Sequence, residues 1–226
     1  MAKLKHEANF SYLLIGLLIT LVAGPLAIEL DLQRPSVTVQ VTFAVTLLVS
    51  VWSAIDSKAW FYVGIGLALV NALASAINHL HASRTAATVA LTCTLAFCAF
   101  SIAFTAKHLF RAGTYRIDRN RLVGAISVYL LLGIGFGVLN MLIELWSPGS
   151  FTGLKPGENS AVGIEMIYFS FVTLTTLGYG DVTPVRPMAQ AVAYIGVIAG
   201  QFYIAVLVAG LVGTYISQQM VSGKRK

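Results

Sequence analysis

Six stretches of this chain are apolar over lengths that suit a lipid bilayer: Asn9–Leu30, Val37–Ile55, Trp60–Ile77, Thr85–Ala106, Val123–Leu145 and Ala189–Gln218. As helices rising about 1.5 Å per residue, each can cross a hydrocarbon core roughly 30 Å thick. Composition argues against a water-soluble domain. The chain is 57% hydrophobic and 11% charged, against roughly 45–50% and about 25% in soluble domains. It has too few polar groups to cover a soluble surface, and its mean hydropathy of +0.80 agrees. The expected fold class is all-α integral membrane. The first span is too long, and its flanks too unlike a cleavage site, for a signal peptide.

Basic residues orient the spans, because Lys and Arg accumulate in cytoplasmic segments. With the N-terminus inside, the inner segments hold Lys3, Lys5, Lys58, Lys107, Arg111, Arg116, Arg119, Arg121, Lys224, Arg225 and Lys226, while the outer ones hold Arg34, Arg84, Lys155 and Arg186. Both termini are expected in the cytoplasm of a cell whose plasma (inner) membrane carries the protein. The net charge of +6 then reports inner loops facing anionic lipid, and nucleic acid is not needed to explain it. Cys93 and Cys98, five apart on one predicted helix, fall on different faces. They read as small apolar residues, neither a bridge nor a metal site.

The segment between the last two spans does not read as an ordinary loop. The polar run Ser147–Ser160 leads into the apolar run Val162–Leu174, which suits a short helix but not a span. That run leads into Thr175-Thr176-Leu177-Gly178-Tyr179-Gly180-Asp181, and Pro184 and Pro187 punctuate the return to the final span. Glycine-rich backbone at membrane depth is tolerated only where protein or a water-filled cavity surrounds it, as in a re-entrant pore loop. Gly-Tyr-Gly also occurs in ordinary turns, so the context carries the weight.

In that context Thr173–Asp181 (TLTTLGYGD) resembles the potassium-channel signature sequence, and Arg121–Ser217 is similar to the family's outer helix, pore helix, filter and inner helix in order and spacing. The resemblance implies a homotetramer with potassium ions as permeant ligand, no cofactor and no catalysis. Four copies of Thr176, Leu177, Gly178, Tyr179 and Gly180 would line an axis with rings of backbone carbonyls that replace the ion's hydration water, the Thr176 hydroxyls forming the innermost ring. Inward-pointing carbonyls require some positive φ values, which Gly178 and Gly180 reach at little steric cost. Tyr179 should point away from the axis toward the pore-helix aromatics Tyr168, Phe169 and Phe171. The pore helix should aim its partly negative C-terminal end at the cavity. Filter support is expected from Thr175, and from Asp181 bonding behind the filter. The usual partner of that carboxylate is a tryptophan, and this chain has Tyr168 in its place.

From Glu144 to Arg186 the acids Glu144, Glu158, Glu165 and Asp181 outnumber the bases Lys155 and Arg186, a net −2 per chain. That charge either concentrates cations at the mouth, or is solvated, with Glu165 complementing the pore-helix N-terminus. Gly196, Gly200, Gly210 and Gly213 suit close helix approach in the last span. The resemblance also implies that Gly200 is the inner-helix gate hinge. Gln201 is polar at mid-membrane depth, so it should face the cavity or another helix. Ile204 and Val208 follow on roughly the same face, as cavity lining or as ordinary helix packing.

The first four spans share the layout of a voltage sensor but not its chemistry. Thr85–Ala106 contains no Lys or Arg, whereas each elementary charge moved in a sensor gains about 2.3 kcal/mol per 100 mV. The most polar side chains of spans two and three are Gln40 and Asn71. Steep voltage gating is not expected. In Lys107–Arg121 (KHLFRAGTYRIDRNR), Leu109, Phe110 and Ile117 interleave with bases. The segment is either an interfacial site for anionic phospholipid or a plain topology signal. His79 and His81 are expected in a short outer loop, as pH sensors or as solvated side chains. With nine residues after Ser217, no cytoplasmic nucleotide- or calcium-binding gating domain is expected within this chain.

The expected organisation is a four-span bundle over residues 1–107, an interfacial linker over 108–120, the pore domain over 121–218 and a short cytoplasmic tail over 219–226. Rival readings are a non-conducting scaffold that has kept the filter sequence, and a haem-bearing or enzymatic membrane protein. Against the latter, His6, His79, His81 and His108 all sit at predicted span ends.

Overall fold

The computed structural model describes residues 10–30, 42, 45–46, 58–81, 83–109, 119–155 and 159–223. They form helices α1 (Phe10–Glu29), α2 (Lys58–His81), α3 (Arg84–Leu109), α4 (Arg119–Trp146), α5 (Asn159–Leu174), α6 (Pro187–Phe202) and α7 (Ala209–Gly223), with a six-residue π-helical segment, Tyr203–Val208, joining α6 to α7. Two short strands, β1 (Phe151–Thr152) and β2 (Thr183–Pro184), pair antiparallel with Phe151 opposite Pro184 and Thr152 opposite Thr183.

Among the described residues four helices are long and apolar enough to cross a membrane: Phe10–Glu29, Arg84–Lys107, Arg119–Trp146 and Pro187–Val206. The apolar stretch of α2, Tyr62–Ile77, is shorter. Of the expected span Val37–Ile55, residues 42, 45 and 46 are helical and the rest lies outside the described residues. So do 110–118 of the basic linker, Glu158, and the terminal bases Lys3, Lys5 and Lys224–Lys226. One expectation is corrected here. Helix α2, the third expected span, continues through His81, so His79 and His81 occupy its last turn, and only residues 82 and 83 separate it from α3. A polar residue near a helix end terminates nothing when the backbone can go on bonding four residues back.

The chain divides into two compact units, Met1–Phe100 and Ser101–Lys226. In the first, Leu17, Phe97 and Cys98 are fully buried, and hydroxyl and amide groups bridge the apolar faces. Thr20 and Thr46 share a hydrogen bond of 3.0 Å, and Asn71 Nδ2 donates to Thr94 Oγ1 at 2.6 Å. Such pairs join helices where lipid offers no alternative partner.

In the second unit α4 carries a seat for the short helix α5. Gly133 and Gly137 lie one turn apart. The Phe171 ring covers Gly133, where any Cβ would overlap it, and the Ile167 backbone lies 3.0 Å from the position of a Cβ on Gly137. Ser170 Oγ donates to the Gly133 carbonyl at 2.7 Å and is buried. Absent side chains thus let two backbones meet, and the hydroxyl sets their register. Phe151, Met166, Phe169, Val182 and Ala189 form a small apolar core.

Candidate functional site

The segment Thr175–Gly180 leaves the C-terminus of α5 through a closed turn. The Thr173 carbonyl accepts the Thr176 N–H at 2.9 Å, and the Val172 carbonyl accepts those of Leu177 at 2.9 Å and Gly178 at 3.2 Å. Bonds that close three and five residues back make a Schellman ending, which needs a left-handed residue at its corner. That residue is Thr176, with φ of 61°. Helices usually place glycine there, and a β-branched residue in this region is strained. Thr175 ties the same turn down, its hydroxyl donating to the Phe171 carbonyl at 2.7 Å.

Positive φ then recurs at every second position: Thr176 at 61°, Gly178 at 58° and Gly180 at 77°, while Leu177 and Tyr179 stay on the ordinary side. In a uniform strand successive carbonyls point to opposite sides. Alternating handedness removes that alternation and turns successive carbonyls toward one side. The anticipated positive φ at the two glycines is present, and Thr176 adds a third such position that residue type did not reveal. The Thr176 hydroxyl donates to the Thr175 carbonyl at 2.6 Å, which leaves its oxygen lone pairs free for a cation. Leu177 and Tyr179 are 56% and 66% exposed, a large apolar surface that the rest of the chain leaves uncovered.

The Tyr168 hydroxyl donates to Asp181 Oδ2 at 2.8 Å. That bond, before all else, holds the Asp181 carboxyl below its usual range and raises the Tyr168 phenol. The other two aromatics expected around Tyr179 have different places within the chain. Phe169 is buried edge-on against Phe151 with ring centroids 5.4 Å apart, and Phe171 lies on Gly133. Helical spacing explains this, because three neighbouring residues on α5 cannot share one face.

Two of the acids between Glu144 and Arg186 have backbone partners. Glu144 accepts the N–H groups of Gly149 at 2.7 Å, Ser150 at 2.9 Å and Phe151 at 3.2 Å, a cradle of turn amides around a carboxylate. Glu165 accepts the Lys155 N–H at 3.2 Å. It sits within α5 rather than at its N-terminus, which corrects the helix-end alternative.

Gly200 is in contact with the end of α5. A Cβ there would lie 2.6 Å from the Leu174 carbonyl oxygen and 2.8 Å from its Cγ. Gly196 has ordinary room beside Phe136, and Gly210 and Gly213 face nothing within 4 Å of their own chain. The helix changes winding just after Gly200, at Tyr203–Val208. Tyr203 is buried there, and its hydroxyl donates to the Ala125 carbonyl of α4 at 2.6 Å. Gln201 and Ile204 are exposed and Val208 is half-buried. The two apolar residues differ because a π turn stacks residues five apart rather than four.

Sequence reasoning passed over Gly133, Gly137, Ser170, Tyr203 and Gly153, and assigned Glu144 to charge alone. Only the Gly133/Gly137 pair carried a readable signal, the small-residue spacing of helix contacts.

A family model described as an ion channel matches residues 125–218. Protein LctB of Bacillus caldotenax is 33% identical over 94 residues, 38% of this chain and 68% of that protein. Two pore potassium channel c of Oryza sativa subsp. japonica is 32% identical over 94 residues, 42% of this chain and 19% of that protein. Two-pore potassium channel 5 of Arabidopsis thaliana is 32% identical over 94 residues and 20% of its length. The chain thus spans about a fifth of the two plant relatives. No solved structure matches it.

Proposed function

Because this chain belongs to the ion-channel family, we propose that it is a potassium-selective channel in which four copies surround one axis and conduct passively through Thr176–Gly180. The observation that carries this reading is the alternation of positive φ at Thr176, Gly178 and Gly180. One such segment supplies a single column of oxygens, so an ion exchanging its hydration shell needs several columns around it. The exposed faces of Leu177 and Tyr179 support the same conclusion, since neighbouring subunits would cover them. Asp181, held by Tyr168, and Thr175 then support the filter, with the exposed Gln201 and Ile204 facing the cavity below it and the half-buried Val208 packing between helices.

The charge asymmetry of the loops supports cytoplasmic termini in a plasma membrane, with anionic lipid at Lys107–Arg121 as a further partner. The lack of Lys and Arg in Thr85–Ala106 supports conduction without steep voltage dependence. Gly200, expected from the resemblance to be the gate hinge, has a tight contact with Leu174 that favours a packing role, with bending nearer the π-helical segment.

The test is the reversal potential of purified protein in liposomes across opposed potassium and sodium gradients, with the oligomer counted in the same preparation. A potential near the potassium equilibrium value from a tetramer is expected. Equal permeability to sodium, or a monomer in bilayers, would overturn the proposal, and a selective-looking protein that passes no current would favour the scaffold.

A further inference from the structure

The inner end of Thr176–Gly180 is closed onto α5 by backbone bonds, whereas just beyond its outer end α5 supplies side chains, Tyr168 to Asp181 and Met166 and Phe169 to Val182. The backbone that meets this end is the turn that follows α4. Gly153 has φ of 85°, and a Cβ at this position would overlap the carbonyl oxygen of Asp181. The α-hydrogen occupying that direction therefore points at the carbonyl, a Cα–H···O contact of the kind that recurs between closely apposed backbones. Either side of it the two segments are tied. The Thr152 and Thr183 hydroxyls share a hydrogen bond of 2.8 Å, β1 pairs with β2, and Val182 is buried in the core formed by Phe151, Met166 and Phe169. The turn is itself held by the Glu144 carboxylate on three of its N–H groups.

We propose that Gly153 is a positioning residue for ion selection: its bare α-carbon is the stop that sets where the Asp181 peptide, and with it the adjoining Gly180 carbonyl, comes to rest. The inference rests on Thr176–Gly180 being the filter. It accounts for a glycine that neither the filter sequence nor helix packing requires. A side chain here cannot be accommodated by a rotamer change, because the obstructing atom is backbone. The Asp181 peptide must move, and the outermost ring of carbonyls moves with it.

The same turn provides a matched control. Gly149 also has a left-handed φ, of 76°, but faces nothing within 4 Å. Gly149→Ala and Gly153→Ala therefore place an L side chain in the same unfavourable region, and only the second meets the filter support. The full-length protein is reconstituted in liposomes, and heat resistance of the assembly and the potassium-over-sodium permeability ratio are measured for each. Both variants are expected to lose some heat resistance. Gly153→Ala alone is expected to lower the permeability ratio, by roughly tenfold, the scale of coupling between contacting residues.

A Gly153→Ala channel with the wild-type ratio would overturn the inference, as would an equal fall in Gly149→Ala. If Gly153→Ala does not assemble, Thr152→Val decides: it removes the exposed hydroxyl bond to Thr183 without adding bulk at the stop. A fall of about threefold in the same ratio is then expected, and no change sinks the idea. A wild-type channel that does not discriminate potassium from sodium would instead refute the filter reading itself.

Discussion

Replacing Gly200 with alanine separates a packing glycine from a bending one, and Gly196 provides the comparison on the same helix one turn earlier. In a helix interior, alanine is favoured over glycine by about 0.8–1.0 kcal/mol. At Gly196 the added methyl would lie 3.5 Å from Phe136 Cδ1, an ordinary contact, so Gly196→Ala should stabilise by up to about 1 kcal/mol. At Gly200 it would lie 2.6 Å from the Leu174 carbonyl oxygen and 2.9 Å from Leu174 Cδ1. Overpacking of this kind costs about 1–3 kcal/mol, which offsets the propensity gain and leaves a net loss of about 0–2 kcal/mol. The two variants should therefore differ by about 1–3 kcal/mol per subunit. The strain also has a direction. Leu174 closes α5 two residues before Thr176, so displacement at its carbonyl reaches the inner end of the proposed filter. Heat resistance of the purified assembly, followed with single-channel current, reads both effects. Gly196→Ala should keep wild-type conductance and gain stability, while Gly200→Ala should lose both. A Gly200→Ala channel as heat-resistant as Gly196→Ala, with normal conductance and altered opening alone, would refute the packing argument and restore Gly200 as the hinge.

Three further outcomes follow from the same geometry. The Asp181 carboxyl sits below its ordinary value of 3.8 because Tyr168 bonds its charged form, so the clamp is intact above that value and is lost as external pH falls through the depressed one. Tyr168→Phe should move acid loss of conduction to higher pH in a current–pH titration, and an unchanged midpoint would count against the clamp. Gly178→Ala forces an L residue to φ near 58°, at about 1–2 kcal/mol per subunit. Potassium over sodium selectivity should collapse, whereas Thr176→Gly should relieve strain and raise heat resistance while losing the hydroxyl ring and conductance. Ser170→Ala removes the buried 2.7 Å bond to the Gly133 carbonyl and should destabilise the assembly by about 1 kcal/mol, with the permeability ratio unchanged.

How much of this could be read in advance varied with the kind of interaction. Four of the six expected spans were legible among the described residues, because an apolar run of bilayer length can do little else. Even so, the ends of α2 were misplaced around His79 and His81, since helix bounds depend on backbone bonds more than on side-chain polarity. The short helix α5 and the left-handed glycines after it were legible because an apolar run too short to span, followed by Gly-x-Gly, signals a helix end and backbone that only glycine reaches easily. Tyr168 opposite Asp181 was anticipated from the resemblance, and the structure gives the bond its length. Phe169 and Phe171 were misassigned because adjacency in sequence says nothing of which helical face finds a partner. Glu144 was read as a mouth charge because its backbone partners lie up to seven residues away in a turn whose path no local pattern fixes.

The sequence by itself determined that this chain is a helical membrane protein and where its oxygen-rich loop lies. Those properties are sums over local residues: hydrophobicity over a window, and glycine at alternate positions. Only the tertiary structure decided that Thr176 completes the alternation, that Gly200 presses on Leu174, that the inner helix changes winding at Tyr203–Val208, and that Gly153 backs Asp181. The Gly200 and Gly153 approaches join segments far apart in the chain, and the turn at Thr176 and the winding at Tyr203–Val208 are backbone conformations that residue type does not mark. A glycine carries no mark of which distant atom occupies the space its missing side chain leaves open.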